Sequence, residues 1–107
     1  MTLATEKDIE DFSSEVKEQL GSNLEELILF GSYATDEYVP GSDIDIAVIV
    51  RDTEKVDEEV LWDTVEDYRI ERGLRFSPKV FEKEEFRRKL GEGYSFYEEV
   101  DAQGVRL

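Results

Sequence analysis

Gly31-Ser32 ends the apolar run Leu27-Ile28-Leu29-Phe30. Eleven residues after Ser32 comes Asp43-Ile44-Asp45, which leads into Ile46-Ala47-Val48-Ile49-Val50. A glycine lets the backbone turn and come close to an anion, and the serine beside it adds a hydroxyl donor. Side chains alternate along a strand, so Asp43 and Asp45 point the same way, about 7 Å apart along the chain. Two carboxylates on one face can hold one divalent cation, or two bridged by a substrate oxygen. Magnesium in particular is held by one or two carboxylates together with substrate phosphates. The bend suits a triphosphate and the acids suit its magnesium ion, which is the equipment of nucleotidyl transfer. Ala34-Thr35 reads as the start of a short helical turn running to Tyr38, whose free N–H groups favour an anion.

Each half is weak alone. Asp and Glu make up 28 of 107 residues, so a lone Asp-x-Asp is ordinarily a solvated acidic edge. Gly-Ser after a strand is also a common turn, with Ser as a helix N-cap. Both halves in order, each adjoining an apolar strand, point to a nucleotide site.

Gly31-Ser32-Tyr33-Ala34, with Pro40 and Ser42-Asp43-Ile44-Asp45 behind it, resembles the signature of the minimal nucleotidyltransferases. These are small members of the DNA polymerase beta-type superfamily, related to the aminoglycoside and CCA-adding nucleotidyltransferases. The family pattern, Gly-Ser-x-Ala-x-Gly, a short variable stretch and Ser-Asp-x-Asp, spans Gly31 to Asp45. The resemblance implies an α+β fold, a small mixed β-sheet packed against helices. It also implies Gly31, Ser32 and Ser42 on the nucleotide, Asp43 and Asp45 on Mg2+, and ATP or another NTP as substrate. A hydroxyl acceptor for AMP and a HEPN-type toxin partner, with this chain as the antitoxin, follow from the same resemblance. Two departures stand out. Asp36 occupies the place of the second glycine, and the strand expected at Leu74 to Phe81 lacks the third carboxylate that members catalysing transfer carry there. Glu82 lies at its far end, and Lys79 stands near the expected acid.

At 107 residues the chain reads as one domain, residues 1–107, too small to include a separate substrate domain. An acceptor or partner must then come from outside, and a homo-oligomer is compatible with this. There is no cysteine for a disulfide or thiolate metal site and no histidine for a general base. No apolar run approaches the roughly 20 residues that span a bilayer, and the N-terminus lacks a signal pattern, so a cytoplasmic location is expected. The net charge of −15 is spread along the chain, which argues against nucleic acid as a partner. Self-repulsion on such a surface is relieved at molar salt, where the Debye length falls to about 3 Å. A salt-accumulating, haloarchaeal source is the expectation, with a basic partner docking on the acid as the competing one.

The elements follow from periodicity. Thr5 and Asp8 form a capping-box pattern before a helix carrying Ile9, Phe12, Val16 and Leu20 on one stripe, and Gly21 ends it. Leu24 to Phe30 and Asp43 to Arg51 read as interior strands, the second of them central. A helix is predicted from about Thr53 to Arg72, with Val56, Val60, Leu61, Val65 and Tyr68 inward, closed by Gly73. Trp62 on it reads as core packing rather than as a base-stacking surface. Pro78 puts the third strand, Leu74 to Phe81, at an edge or a bulge. Helices over Glu82 to Leu90 and Ser95 to Gln103 complete a mixed sheet with its helices on one face. Phe96, Tyr97, Val105 and Leu107 form an apolar C-terminus that either packs on the core or meets a partner.

Two functional classes stay open. One is a magnesium-dependent nucleotidyltransferase; the other is a catalytically impaired binding module that keeps the old fold and masks a partner. The scarce cations Arg51, Arg75 and Lys79 read first as local ion pairs. At Lys79 there is a second reading, in which an ammonium replaces one metal charge.

Overall fold

The structure is a computed structural model and describes residues 3–107. Helix α1 spans Glu6–Leu20, and its predicted start is a reciprocal capping box. The Thr5 hydroxyl accepts from the Asp8 N–H at 3.2 Å, and the Asp8 carboxylate accepts from the Thr5 N–H at 2.9 Å. Gly21, at φ +52°, closes the helix. Strands β1 (Leu24–Phe30) and β2 (Ile44–Val50) follow, then α2 (Glu58–Arg72) and β3 (Phe76–Glu82). Helices α3 (Lys83–Gly91) and α4 (Ser95–Gln103) lead to a two-residue strand β4, Val105–Arg106.

The sheet order is β3-β2-β1-β4. β2 is central, as its continuous apolar run requires. β1 pairs with it antiparallel, and β3 pairs with it parallel after the α2 crossover. β4 adds antiparallel to the outer side of β1 through Ile28–Arg106 and Leu29–Val105. Pro78 sits on β3, at the sheet edge, where its missing N–H leaves no ladder bond unmade.

The two faces are packed separately. On one, α1 and α2 cover Leu27, Leu29, Ile44, Ile46, Val48 and Val50. Phe12 stacks on Phe76 at 4.0 Å between ring centres, and Tyr68 stands edge-on to both. Arg72 at the end of α2 reaches back to Asp8 and Asp11 on α1, at 3.0 and 2.9 Å. On the other face, Phe86 of α3 and Val100 of α4 close over Ile28, Ala47 and Ile49.

Several expectations are corrected. The helices lie on both faces of the sheet, because β1 and β2 are apolar on both sides and each side needs a cover. The predicted helix from Thr53 begins at Glu58, capped by the Asp57 side chain; Thr53–Lys55 forms a separate 3-10 turn. Val60 and Trp62 are 41% and 51% exposed, while Thr64 takes the inward place instead. The C-terminus packs on the core through Leu107 and forms β4, a strand too short to show in periodicity.

Candidate nucleotide site

The antiparallel register of β1 and β2 sets Phe30 opposite Asp45, so the end of one strand and the start of the next meet at one end of the sheet. Gly31 follows directly, at φ +73°. A Cβ added there would stand 2.5 Å from the Asp45 Oδ2, so the bend and the carboxylate are in contact. Only glycine satisfies both the left-handed backbone and the close approach. Residues Gly31–Tyr33 form a 3-10 turn in which the Ala34 N–H donates to the Gly31 carbonyl at 3.1 Å. The Glu37 N–H then donates to the Ser32 carbonyl at 2.9 Å. The short helix expected to start at Ala34 does not form: the turn starts earlier, at the glycine itself, and the chain runs on without regular structure through Pro40.

Asp43 is exposed, just before β2, and Arg75 approaches it at 3.5 Å. Such an exposed pair is weak, so Asp43 stays available to a stronger cation. Asp45 is half-buried. Burial pushes its carboxyl up from the ordinary range, the Lys79 ammonium pulls it back down, and the Asp43 charge adds to the upward push. The two acids therefore share one electrostatic environment. Their hard oxygens suit magnesium, which when bound would neutralise charge on substrate phosphates.

Strand β3 places Ser77, not Lys79, directly beside Asp45; Lys79 pairs with Ala47 one step further along. Glu82 pairs with Val50, five residues beyond Ser77, or about 16 Å along the strand. Its carboxylate accepts the Glu85 N–H at 2.9 Å and caps α3. Among the described residues no group of three acidic, histidine or cysteine side chains is placed to hold a metal. Ser42 is engaged locally: its hydroxyl accepts the Val39 N–H at 3.0 Å and closes the loop before β2. Arg51 pairs with Glu25 at 3.0 Å, near the other end of β2.

A cavity of about 560 Å³ opens at the bend. Gly31, Ser32, Thr35 and Glu37 line one side, and Phe96, Glu99, Val100 and Gln103 of α4 line the other; Asp43 and Asp45 lie outside this lining. Asp36, in the place of the family's second glycine, adopts φ +60°, a left-handed conformation that Asp tolerates better than most residues. It lines a different groove, beside Tyr33, Tyr38 and α1, so its charge does not enter the cavity at Gly31. Gln103 and Glu99 were not foreseen at the site. The spacing of Phe96 and Val100 marks an inward face of α4, but only the return of the chain through β4 brings that face to the bend.

Residues 9–101 match the nucleotidyltransferase domain family. MJ0604 of Methanocaldococcus jannaschii, provisionally named a protein adenylyltransferase, is 33% identical over 99 residues, covering 92% of this chain and 93% of the relative. MJ0141 of the same organism, named in the same way, is 27% identical over 100 residues, covering 92% and 94%. In three dimensions the chain is similar to one in the crystal structure of a mutant MntA–HpeT toxin–antitoxin pair. The TM-score is 0.57 at 23% identity, over 98% of this chain and 72% of that one, a likeness of fold. With the bend, the paired acids and the matched residues in agreement, the chain belongs to the nucleotidyltransferase domain family.

Proposed function

We propose that the protein binds ATP with magnesium at the Gly31 bend and transfers AMP to a hydroxyl group of a partner protein. The contact between Gly31 and the Asp45 carboxylate carries this reading, because it brings the anion-binding and cation-binding halves into one place. The names of the relatives support a protein acceptor and AMP as the transferred group. The toxin–antitoxin neighbour supports a toxin as partner, and a HEPN-type toxin for which this chain is the antitoxin fits the family resemblance.

In this reading Ser32 and the backbone N–H groups of the turn hold the phosphates, while Asp43 and Asp45 hold Mg2+. The cavity beside α4 receives the rest of the nucleotide. The acceptor oxygen bonds to the α-phosphorus, the bond to the leaving pyrophosphate breaks, and the hydroxyl proton passes to solvent or a carboxylate. No histidine is available for that role.

Ser77 beside Asp45 favours a second reading, since a third acid at that position is what an additional metal ion would need. The protein would then be a nucleotide-binding antitoxin or regulatory module that masks its partner without modifying it. Transfer of labelled AMP to a co-expressed HEPN-type toxin separates the two. The first reading expects label on the toxin, and loss of both label and neutralisation in Asp43→Asn and Asp45→Asn. Neutralisation that survives both substitutions, without label, would leave only the second.

A further inference from the structure

We infer that Lys79 is a triphosphate anchor that takes the place of a second cation, so that the site holds its nucleotide with a single divalent ion. The inference rests on the nucleotide reading of the Gly31 bend and is indifferent to whether transfer follows.

Phe30, Asp45, Ala47, Ser77 and Lys79 share one face of the sheet, as their register pairs require. Ala47 is fully buried and carries only a methyl group, so nothing on β2 blocks a long side chain from β3. Lys79 uses that gap. Its Nζ lies 5.8 Å from the centre of the Phe30 ring, on the far side of β2. Phe30 immediately precedes Gly31 and forms a wall of the cavity at the bend, so the ammonium stands against the residue that leads into the turn, although Lys79 does not itself line the cavity.

The ammonium is also uncommitted. Nine of the 13 basic side chains have a carboxylate partner within 4 Å; among the described residues Lys17, Lys55, Lys79 and Arg87 have none, and of these four only Lys79 is set against the Phe30 ring. On a chain with 28 acids and 13 basic residues, a cation left without a partner beside an anion-binding turn has a ready role in binding phosphate. Its contact with Phe30 is at the outer limit of cation–π attraction and does not by itself account for the reach. With Ser77 where a further oxygen anion would sit, Asp43 and Asp45 can serve one ion, and Lys79 supplies the next nearest positive charge.

The test is titration of the purified protein with Mn2+ and a non-hydrolysable ATP analogue, read by calorimetry and electron paramagnetic resonance. One Mn2+ per chain is expected at saturation. Lys79→Ala is expected to weaken analogue binding about tenfold or more, as loss of a charge-assisted contact does, with Lys79→Arg keeping most of the affinity. Adding Ser77→Asp to Lys79→Ala is expected to recruit a second Mn2+ and restore part of the binding. Two Mn2+ in the wild type, or Lys79→Ala binding as tightly as wild type, would overturn the role of Lys79 and leave the nucleotide site standing. Failure of the wild type to bind the analogue at all would overturn both.

Discussion

The two faces of the sheet carry different loads. The α1/α2 face is apolar from end to end, with Phe12, Tyr68 and Phe76 locked in one aromatic cluster. The α3/α4 face is apolar only in its middle, around Ile28, Ala47 and Ile49. At the Gly31 end it gives way to Asp45, Ser77 and Lys79, and a cavity opens beside the bend between Gly31 and α4. Strand alternation makes this division possible: β2 gives Ile44, Ile46, Val48 and Val50 to one core, while its other face carries Asp45 at the site end and Ala47 and Ile49 in a second, smaller core. One face thus serves stability alone, while the other combines a smaller core with the candidate site at its Gly31 end.

Substitutions on the two faces should therefore separate into two kinds. Phe12→Ala is expected to have the largest effect on stability, about 3–5 kcal/mol by urea denaturation, with unchanged nucleotide affinity in the fraction that stays folded. Gly31→Ala should do the reverse. The added methyl displaces the Asp45 carboxylate, and the left-handed backbone costs about 1–2 kcal/mol. Nucleotide affinity should fall on the order of 100-fold, a loss of about 2.7 kcal/mol. Comparable losses of stability and affinity from both substitutions would erase the division.

Asp45→Asn sharpens the comparison further. Burial raises the folded-state carboxyl above its unfolded value, so the ionised group opposes folding. This penalty is absent in acid and sets in as pH rises through the usual carboxylate range. After solvent screening, removing the charge should stabilise the ligand-free protein at neutral pH by on the order of 0.5 kcal/mol, while abolishing magnesium-dependent nucleotide binding. A melt that falls instead would mean that the carboxylate is a structural group.

The smallest effects belong to the surface. Hydrogen bonds from the Thr5 N–H to Asp8 and from Arg72 to Asp11 hold both carboxyls below the ordinary range. Their contribution is present above the unfolded pKa and lost as pH falls through the folded one. Arg72→Ala should flatten that part of the acid limb without touching nucleotide binding. The dispersed charge of −15 predicts a melting temperature that rises between low and multimolar KCl. A salt-independent melt would remove the halophilic explanation of the composition.

Much of this was legible in the sequence because the signals are local. The Thr5–Asp8 capping box, Gly21 and Gly73 as helix ends, the central β2 and the edge proline each follow from a few neighbouring residues. The bend and the paired aspartates were visible for the same reason. Register between strands was not legible, because it depends on how the α2 crossover returns β3 to the sheet. The sequence put Lys79 near the missing acid but could not say that Ser77 pairs with Asp45 or that Lys79 crosses Ala47 toward Phe30. The cover on the second face was hidden too, since α3 and α4 are short and their partners lie some forty or more residues earlier in the chain. β4 depends on Gly104, where an added Cβ would collide with Ile28 and the Val100 carbonyl, a constraint with no local signature.

Calorimetric titration of the wild type and Asp45→Asn with an ATP analogue, with and without Mg2+, tests the central claim most directly. A single glycine–aspartate site predicts tight binding by the wild type only when magnesium is present, and loss of that binding in the variant. Wild-type binding that ignores magnesium, or an Asp45→Asn titration that overlays the wild type, would contradict it.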